Sequence, residues 1–484
     1  MSDEKNDLYL STREKLNNIS KSFCTAKWNQ VTLHLQNGRT HSCHHPPTHH
    51  IPSVEIEHNA TALHNTKEKK LYRKMMLEGK RPSECNYCWD IEDLPGNQIS
   101  DRYIKSSDPL INNDDDIERI AKRQWDEDVI PPYMEVSFSN KCNLKCTYCS
   151  PVHSTKWVQE IKQEGPYKIF NNREVNSLEY LKSSNQMPFE PSAENEENPY
   201  VRAFWQWWPN LKQGLKIFRI TGGEPLLDKN TFRILDELIA SPIKELEISI
   251  NTNACASDDL IDKFINKLQI INDKNFVKKI SIFTSVDGSG EAAEYGRTGL
   301  NYEIWKKNLE KMLIQLPGIQ VSIMFTANIF SITTIDSFVR EMHELKIKYS
   351  SEFQALPIII DFNILRYPGF LNISLLPVSF YQKLEETLEY IKSFNIDKDN
   401  TLKHGFCNFE MIKFKRLMDF LKDGPEITAD YNKDVSKADF FLFIDQLDTR
   451  RGTNFKKTFP ELVEFYNHCE SINTELLIKH HSSN

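Results

Sequence analysis

A chain of 484 residues is too long for one compact core, and at about 150 residues per domain it divides into two to four. A hydrophobic share of 39% and a charged share of 26% are those of an ordinary soluble globular protein. The net charge of −8 is spread with both signs mixed, and no basic stripe of the kind that follows a phosphate backbone is present, so nucleic acid is not an expected partner.

The start, Met1-Ser-Asp-Glu-Lys-Asn-Asp7, is acidic and lacks the charged, apolar and small-residue regions of a secretory signal. Apolar runs such as Phe440 to Ile444 are far too short to span a bilayer. The expectation is a cytoplasmic chain with no membrane partner. Ten cysteines in that compartment point to metal ligands or catalytic groups rather than disulfides.

Residues 1–100 read as loop-rich around one hairpin. Val31 to Leu35 alternates as a strand, Asn37-Gly38 is a tight-turn signal, and Arg39 to Cys43 returns. A helix from Thr66 to Glu78 follows, ended by Gly79 and then Pro82. Cys24, Cys43, Cys85 and Cys88 frame these elements, and four thiolates suffice to close a metal site, whether zinc or iron–sulfur. The stretch His41-Ser-Cys43-His44-His45-Pro-Pro-Thr-His49-His50 reads mainly as polar loop, with a minority of histidines able to supply a ligand, line a cavity or move protons.

From about residue 130 strands alternate with amphipathic helices. The strands are Met134–Ser139, Lys216–Thr221, Leu246–Ile250, Ile280–Val286, Val321–Thr326 and Ile358–Leu365. Helices Thr231–Ala240, Leu260–Leu268, Tyr302–Leu313 and Ile335–Leu345 fall between them, which implies parallel βαβ units. Residues 165–200, rich in Asn, Glu and Ser, read as an insertion. The aromatic patch Phe204-Trp205-Gln-Trp207-Trp208 reads as core packing or a lid, with substrate stacking the alternative. After Pro377 the chain reads as helical. Its segment Asp448 to Leu462 has the texture of a local motif, with helix docking as the default reading.

Cys142-Asn-Leu-Lys-Cys146-Thr-Tyr-Cys149 directly follows the first of the six strands. Three thiolates on a short loop can hold three irons of a cubane and leave the fourth open. A structural zinc loop would need a fourth ligand, for which His153 is the near candidate. The second strand ends in Thr221-Gly222-Gly223-Glu224-Pro225, where two glycines permit close backbone approach and a carboxylate is placed to meet an ammonium.

These residues resemble the radical S-adenosylmethionine superfamily over roughly residues 130–370. The resemblance implies a partial (β/α)6 barrel, a [4Fe–4S] cluster on Cys142, Cys146 and Cys149, and S-adenosylmethionine at its open iron. It implies Tyr148 near the adenine and Glu224, with Gly222 and Gly223, at the methionyl amine. Asn251 ends the third strand, where the family often carries a Thr-Asn pair, and Ser285 and Asp287 end the fourth. Ser285 and Arg297 fall where a Ser and an Arg of relatives contact the ribose and carboxylate; Asn328 and the backbone around Leu365 match more weakly. The frame of Cys24, Cys43, Cys85 and Cys88 is similar to the twitch and SPASM modules that carry an auxiliary [4Fe–4S] cluster, although here it precedes the barrel. The division implied is 1–110 auxiliary module, 130–377 barrel and 378–484 helical extension.

The activity implied is reductive cleavage of S-adenosylmethionine to a 5′-deoxyadenosyl radical, then hydrogen abstraction from a substrate. Oxidative modification of a peptide or protein side chain is the first reading, and dehydrogenation or rearrangement of a small molecule the second. A non-catalytic zinc protein is the reading from another class. A flavodoxin- or ferredoxin-like electron donor is the implied partner. Cys255, just past the third strand, reads as a buried thiol, and Cys407 as the same or as a hydrogen donor.

Overall fold

The computed structural model describes residues 3–96, 98–112, 114–170, 174–190, 197–350, 356–399, 402, 404–424 and 432–482. Of the acidic start, residues 1–2 lie outside these, as do 171–173 and 191–196 of the polar stretch 165–200. In chain order the strands are β1 (Gln30–His34), β2 (Arg39–His41), β3 (His49–His50), β4 (Tyr133–Ser137), β5 (Lys145–Cys146), β6 (Ile217–Thr221), β7 (Ile243–Thr252), β8 (Val277–Ser285), β9 (Arg297–Thr298), β10 (Gln320–Ala327) and β11 (Ile358–Ile364). The six expected barrel strands are β4, β6, β7, β8, β10 and β11. Helices Pro199–Leu211, Lys229–Ala240, Asp258–Asp273, Tyr302–Gln315 and Ile335–Tyr349 separate them from β6 onward. This is the α/β pattern of a partial (β/α)6 barrel, preceded by a small cysteine-rich α+β module and followed by helices.

The chain forms two compact units. The first comprises residues 1–140, 188–250 and 271–279, and the second 141–187, 251–270 and 280–484. In the first, β4 pairs in parallel with β6 and β6 with β7. The hairpin β1–β2 is antiparallel as its turn signal requires, with β3 added beyond β2. Its other edge is where sequence reading stopped short: β1 pairs in parallel with β4, His34 opposite Ser137. Alternating Val31 and Leu33 are fully buried, as are Met134 and Val136 opposite them, so the apolar register fixes this pairing.

The aromatic patch lies on the helix Pro199–Leu211, opened by an Asn198 cap on Tyr200 N (2.9 Å). Phe204, Trp207 and Trp208 are buried, and the Phe204 ring stacks on Phe218 of β6, which makes the patch core. Each such ring removes about 150–250 Å² from water, roughly 4–6 kcal/mol as an upper bound. Trp205 is partly exposed, under the Arg233 guanidinium at 3.6 Å. The module has its own core of Leu16, Phe23, Trp28, Met76, Trp89 and Tyr103, on which Cys24, Cys85 and Cys88 pack. The helix Lys67–Leu77 starts where expected because Thr66 caps Lys69 N (3.1 Å).

In the second unit β8, β10 and β11 are parallel, with Ile282, Val321, Ile323, Phe325, Ile360 and Phe362 buried along them. After Pro377 the chain is helical over Phe380–Ser393, Asn408–Asp423, Lys433–Arg451 and Val463–Ser482. Among the described residues no helix is long and apolar enough to cross a membrane.

Candidate active site

In the second unit the three-cysteine loop is held largely through its backbone. Lys145 and Cys146 form β5, antiparallel to β9, with Cys146 opposite Arg297. Thr147 N donates to the Gly296 carbonyl (2.9 Å), and the Trp157 indole to the Cys146 carbonyl (2.9 Å). The Ser154 hydroxyl donates to the Leu144 carbonyl at 2.6 Å. Asn143 is tied to the segment after β7: its amide donates to the Cys255 carbonyl (2.8 Å) and its oxygen accepts from Asn253 (2.8 Å). Burial pushes the Cys146 and Cys149 thiols upward, and the Arg297 cation opposes this.

Three of the expected cofactor residues engage one another. The Tyr148 hydroxyl donates to Asp287 at 2.5 Å, and Arg297 pairs with the same carboxylate through Nε (2.8 Å) and Nη2 (3.0 Å). Thr326 N donates to Asp287 as well, at 2.8 Å. Arg297 Nη1 lies 3.7 Å from the Cys146 sulfur, so a buried ion pair brings a cation to this thiol. Asn251 has a buried side-chain oxygen with no hydrogen-bond partner among the described residues, and Ser285 is half-buried at the end of β8. Asn328 closes a local turn onto Phe330 N and Ser331 N, and the Leu365 backbone pairs with Ala327 (3.0 Å). Both shape loops. Cys407 is buried at a helix N-terminus in a capping box with Glu410, and Cys255 Sγ meets the Asn301 carbonyl at 3.7 Å.

In the first unit, Gly222 has φ +121°, and a Cβ there would fall 2.4 Å from the Ser137 hydroxyl. Only glycine fits. Gly223 N donates to the Ser139 carbonyl (3.3 Å), and Glu224, 1% exposed, caps Leu226 N at 3.0 Å. Ser139, Thr221, Gly223, Glu224, Asp228 and Thr231 line a small pocket. The hydroxyls of Ser137 and Thr231 are buried without a hydrogen-bond partner among the described residues. Buried polar groups left open beside a glycine cradle fit a polar ligand.

The first unit also gathers the four amino-terminal cysteines. Cys24 precedes the short helix Ala26–Asn29, Cys43 follows β2, Cys85 ends the turn Ser83–Cys85, and Cys88 lies on the helix Asn86–Glu92. All four line one pocket with Lys27, Arg102 and Lys105. Lys27 is buried and paired with Glu84, and Arg102 is paired with Glu92 at 2.8 Å. Burial pushes the Cys24 and Cys85 thiols up to about 11, while Lys27 pulls both down. Among the described residues no three cysteine sulfurs come within 4.8 Å of one another. The edge of a tetrahedral zinc–thiolate site is about 3.8 Å, from Zn–S bonds of about 2.3 Å. No set of three described cysteines meets that spacing. The group that does meet the closer spacing is His44, His45 and Asp101, with His45 Nε2 at 2.6 Å from the carboxylate and stacked on Tyr87. His153 does not join the central thiols in any such group.

No family model matches the chain. It is similar to the GTP 3′,8-cyclase of Helicobacter pylori, 31% identical over 128 residues, 25% of this chain and 27% of that protein. The probable GTP 3′,8-cyclase of Methanocaldococcus jannaschii is 26% identical over 224 residues, 44% of this chain and 61% of its own length. That of Listeria monocytogenes is 26% identical over 175 residues, 34% and 42%. The chain thus spans from about a quarter to three-fifths of these curated relatives. The comparison supports the radical S-adenosylmethionine superfamily. These relatives are named as enzymes. Radical S-adenosylmethionine chemistry implies a [4Fe–4S] cluster and S-adenosylmethionine as cofactor.

Sequence reading named the cysteines, the glycines and Glu224 but missed the groups that surround them. Lys27 and Glu84 flank the amino-terminal thiols, and Asp101 meets the His pair. Glu160 braces the central loop with Arg451, which comes from far along the chain. The one signal for these was the unexplained texture of Asp448 to Leu462.

Proposed function

We propose that this chain is a radical S-adenosylmethionine enzyme in which Cys142, Cys146 and Cys149 hold a [4Fe–4S] cluster with one open iron. The observation that carries the reading is the central loop itself. Its backbone is pinned by Gly296, Trp157 and Ser154, and Arg297 stands 3.7 Å from the Cys146 sulfur. When bound, the cluster and cofactor supply reductive C–S cleavage and a 5′-deoxyadenosyl radical, chemistry for which the protein provides position and exclusion of water. Glu224 receives the methionyl ammonium, and the Gly222–Gly223 backbone gives it room. Arg297 and Asp287 hold Tyr148 and keep a positive charge beside the Cys146 ligand. Asn251 and Ser285 are left to meet the ribose and carboxylate.

Cys24, Cys43, Cys85 and Cys88 hold an auxiliary [4Fe–4S] cluster in a twitch/SPASM-like module, closed to further ligands by its fourth thiolate. An auxiliary acceptor suits an oxidation, here of a peptide or protein side chain, with electrons for the central cluster from a flavodoxin- or ferredoxin-like donor. A second reading, rearrangement of a small molecule, is favoured by the relatives, whose names describe a cyclase acting on GTP. Anaerobic reconstitution with iron and sulfide, followed by assay for 5′-deoxyadenosine with dithionite, tests the central claim; no product above the protein-free control would defeat it. Stimulation by GTP or another nucleotide, but not by peptides, would move the assignment to the second reading.

A further inference from the structure

The segment Asp448 to Leu462 carries an arginine pair at the end of a long helix, and within the second unit the structure gives that pair two different tasks. The helix Lys433–Arg451 stops at Gly452, whose φ of +63° is the left-handed conformation that ends helices. Arg451, with a side chain 1% exposed, turns onto the cysteine loop. Its Nη1 donates to the Lys145 carbonyl (2.8 Å) and to the Thr298 hydroxyl (2.9 Å). Its Nε and Nη2 donate to Glu160 at 3.1 and 3.2 Å. The guanidinium lies 4.8 Å from the Trp157 ring, whose indole holds the Cys146 carbonyl. One buried cation therefore ties β5 to β9 at the residues next to Cys146 and Arg297.

The turn after the helix adds a second tie. Asp448 accepts from the Thr453 hydroxyl (2.6 Å), from Phe455 N (2.7 Å) and from the Tyr295 hydroxyl (2.9 Å). Tyr295 adjoins Gly296, whose carbonyl takes both the backbone N–H and the hydroxyl of Thr147. The neighbouring Arg450 points elsewhere: it donates to the Gly165 and Pro166 carbonyls (2.9 and 3.1 Å) and lies 3.9 Å over Tyr167.

We propose that Arg451 is a positioning residue for the central cluster. The carboxyl-terminal helices do more than dock: through this one guanidinium they hold the strand that carries Cys146 against the strand that carries Arg297, and so retain the cluster. The proposal rests on the central-cluster reading, and its test has one arm that does not need a cluster.

That arm is hydrogen exchange over residues 142–149 in full-length protein stripped of iron. Arg451→Gln should speed exchange there by about tenfold, since it removes charge-assisted bonds to a carbonyl and a carboxylate. Arg451→Lys should recover part of the effect, and Arg450→Gln should leave those amides unchanged while lowering the melting temperature. In reconstituted protein, Arg451→Gln should speed iron loss to a ferrous chelator from the centre whose electron paramagnetic resonance shifts with S-adenosylmethionine, again by about tenfold. If Arg451→Gln does not fold, Thr298→Val, which deletes one acceptor and keeps the volume, must shift the same amides in the same direction by less. Unchanged exchange over 142–149, or an equal change in Arg450→Gln, overturns the proposal. A wild type that binds no iron but passes the exchange arm would instead defeat the cluster reading and leave the clamp standing.

Discussion

At the central loop the three thiols stand beside Arg297, whose charge is already taken by Asp287, and Arg451, whose charge is taken by Glu160. At the amino-terminal pocket four thiols stand among Lys27, Arg102 and Lys105, the first two paired with Glu84 and Glu92. Burial pushes thiols upward at both sites, so metal loading at either must expel protons. The sites differ in closure. On the proposed reading, three ligands would leave one iron for an exchangeable partner and four would leave none, which would separate radical generation from electron acceptance.

The sharpest way to break that comparison is to remove each set. Replacing Cys142, Cys146 and Cys149 together by Ala should cost about four irons and abolish S-adenosylmethionine cleavage, read as iron content and 5′-deoxyadenosine. Cleavage at the wild-type rate would end the central assignment. Replacing Cys24, Cys43, Cys85 and Cys88 by Ala should leave about four irons and intact cleavage without substrate, while turnover to product is lost. Three of these cysteines pack on the module core, so circular dichroism and solubility must be checked before the loss is called chemical. Zinc in place of iron here, after anaerobic purification of the wild type, would defeat the auxiliary cluster and spare the central one.

A smaller effect is expected at Glu224. Glu224→Gln keeps an oxygen to cap Leu226 N but removes the charge offered to the cofactor ammonium. A charge-assisted contact is worth roughly 1.5–3 kcal/mol, so affinity for S-adenosylmethionine should fall by about ten- to a hundredfold with iron content unchanged. Equal affinity by calorimetry would show that another carboxylate does this work.

The strands were legible because alternation and burial agree along β4, β6, β8, β10 and β11, and the helix after Thr66 because its cap is a local signal. Cysteine spacing pointed to both groups of thiols, and the four amino-terminal ones do line one pocket. What sequence could not show is long-range partnership. The parallel pairing of β1 with β4 joins residues about a hundred positions apart, which no local pattern encodes. Tyr148, Asp287 and Arg297 were each read as cofactor contacts, yet each is also the others' partner. Arg451 and Glu160 brace the cysteine loop across nearly three hundred residues, and only an unexplained motif marked the place.

The smallest effect separates the two regions by acidity. Burial, with Lys69, Lys27 and Arg39 nearby, pushes His49 down to about 3, and burial pushes His41 and His44 to about 4; beside the central loop, His153 is shifted downward by burial alone. His49 Nε2 meets the hydroxyl of Thr66, the helix cap, at 3.1 Å, and its Nδ1 is buried without a hydrogen-bond partner among the described residues. The unfolded chain takes a proton near pH 6.5 and folded His49 only near 3, so between these values the unfolded state binds more protons. Stability from neutral His49 is therefore full above about pH 6.5 and is lost as pH falls through that window. His49→Gln keeps a group able to bond Thr66 and cannot titrate. The stability lost between about pH 7 and about pH 5 should shrink by about 2 kcal/mol in this variant, measured by denaturant unfolding. In the wild type, exchange over residues 41–50 should rise on acidification before exchange over 142–149 does. Identical slopes in variant and wild type, with both segments opening together, would show that the amino-terminal histidines do not set the acid limit of this fold.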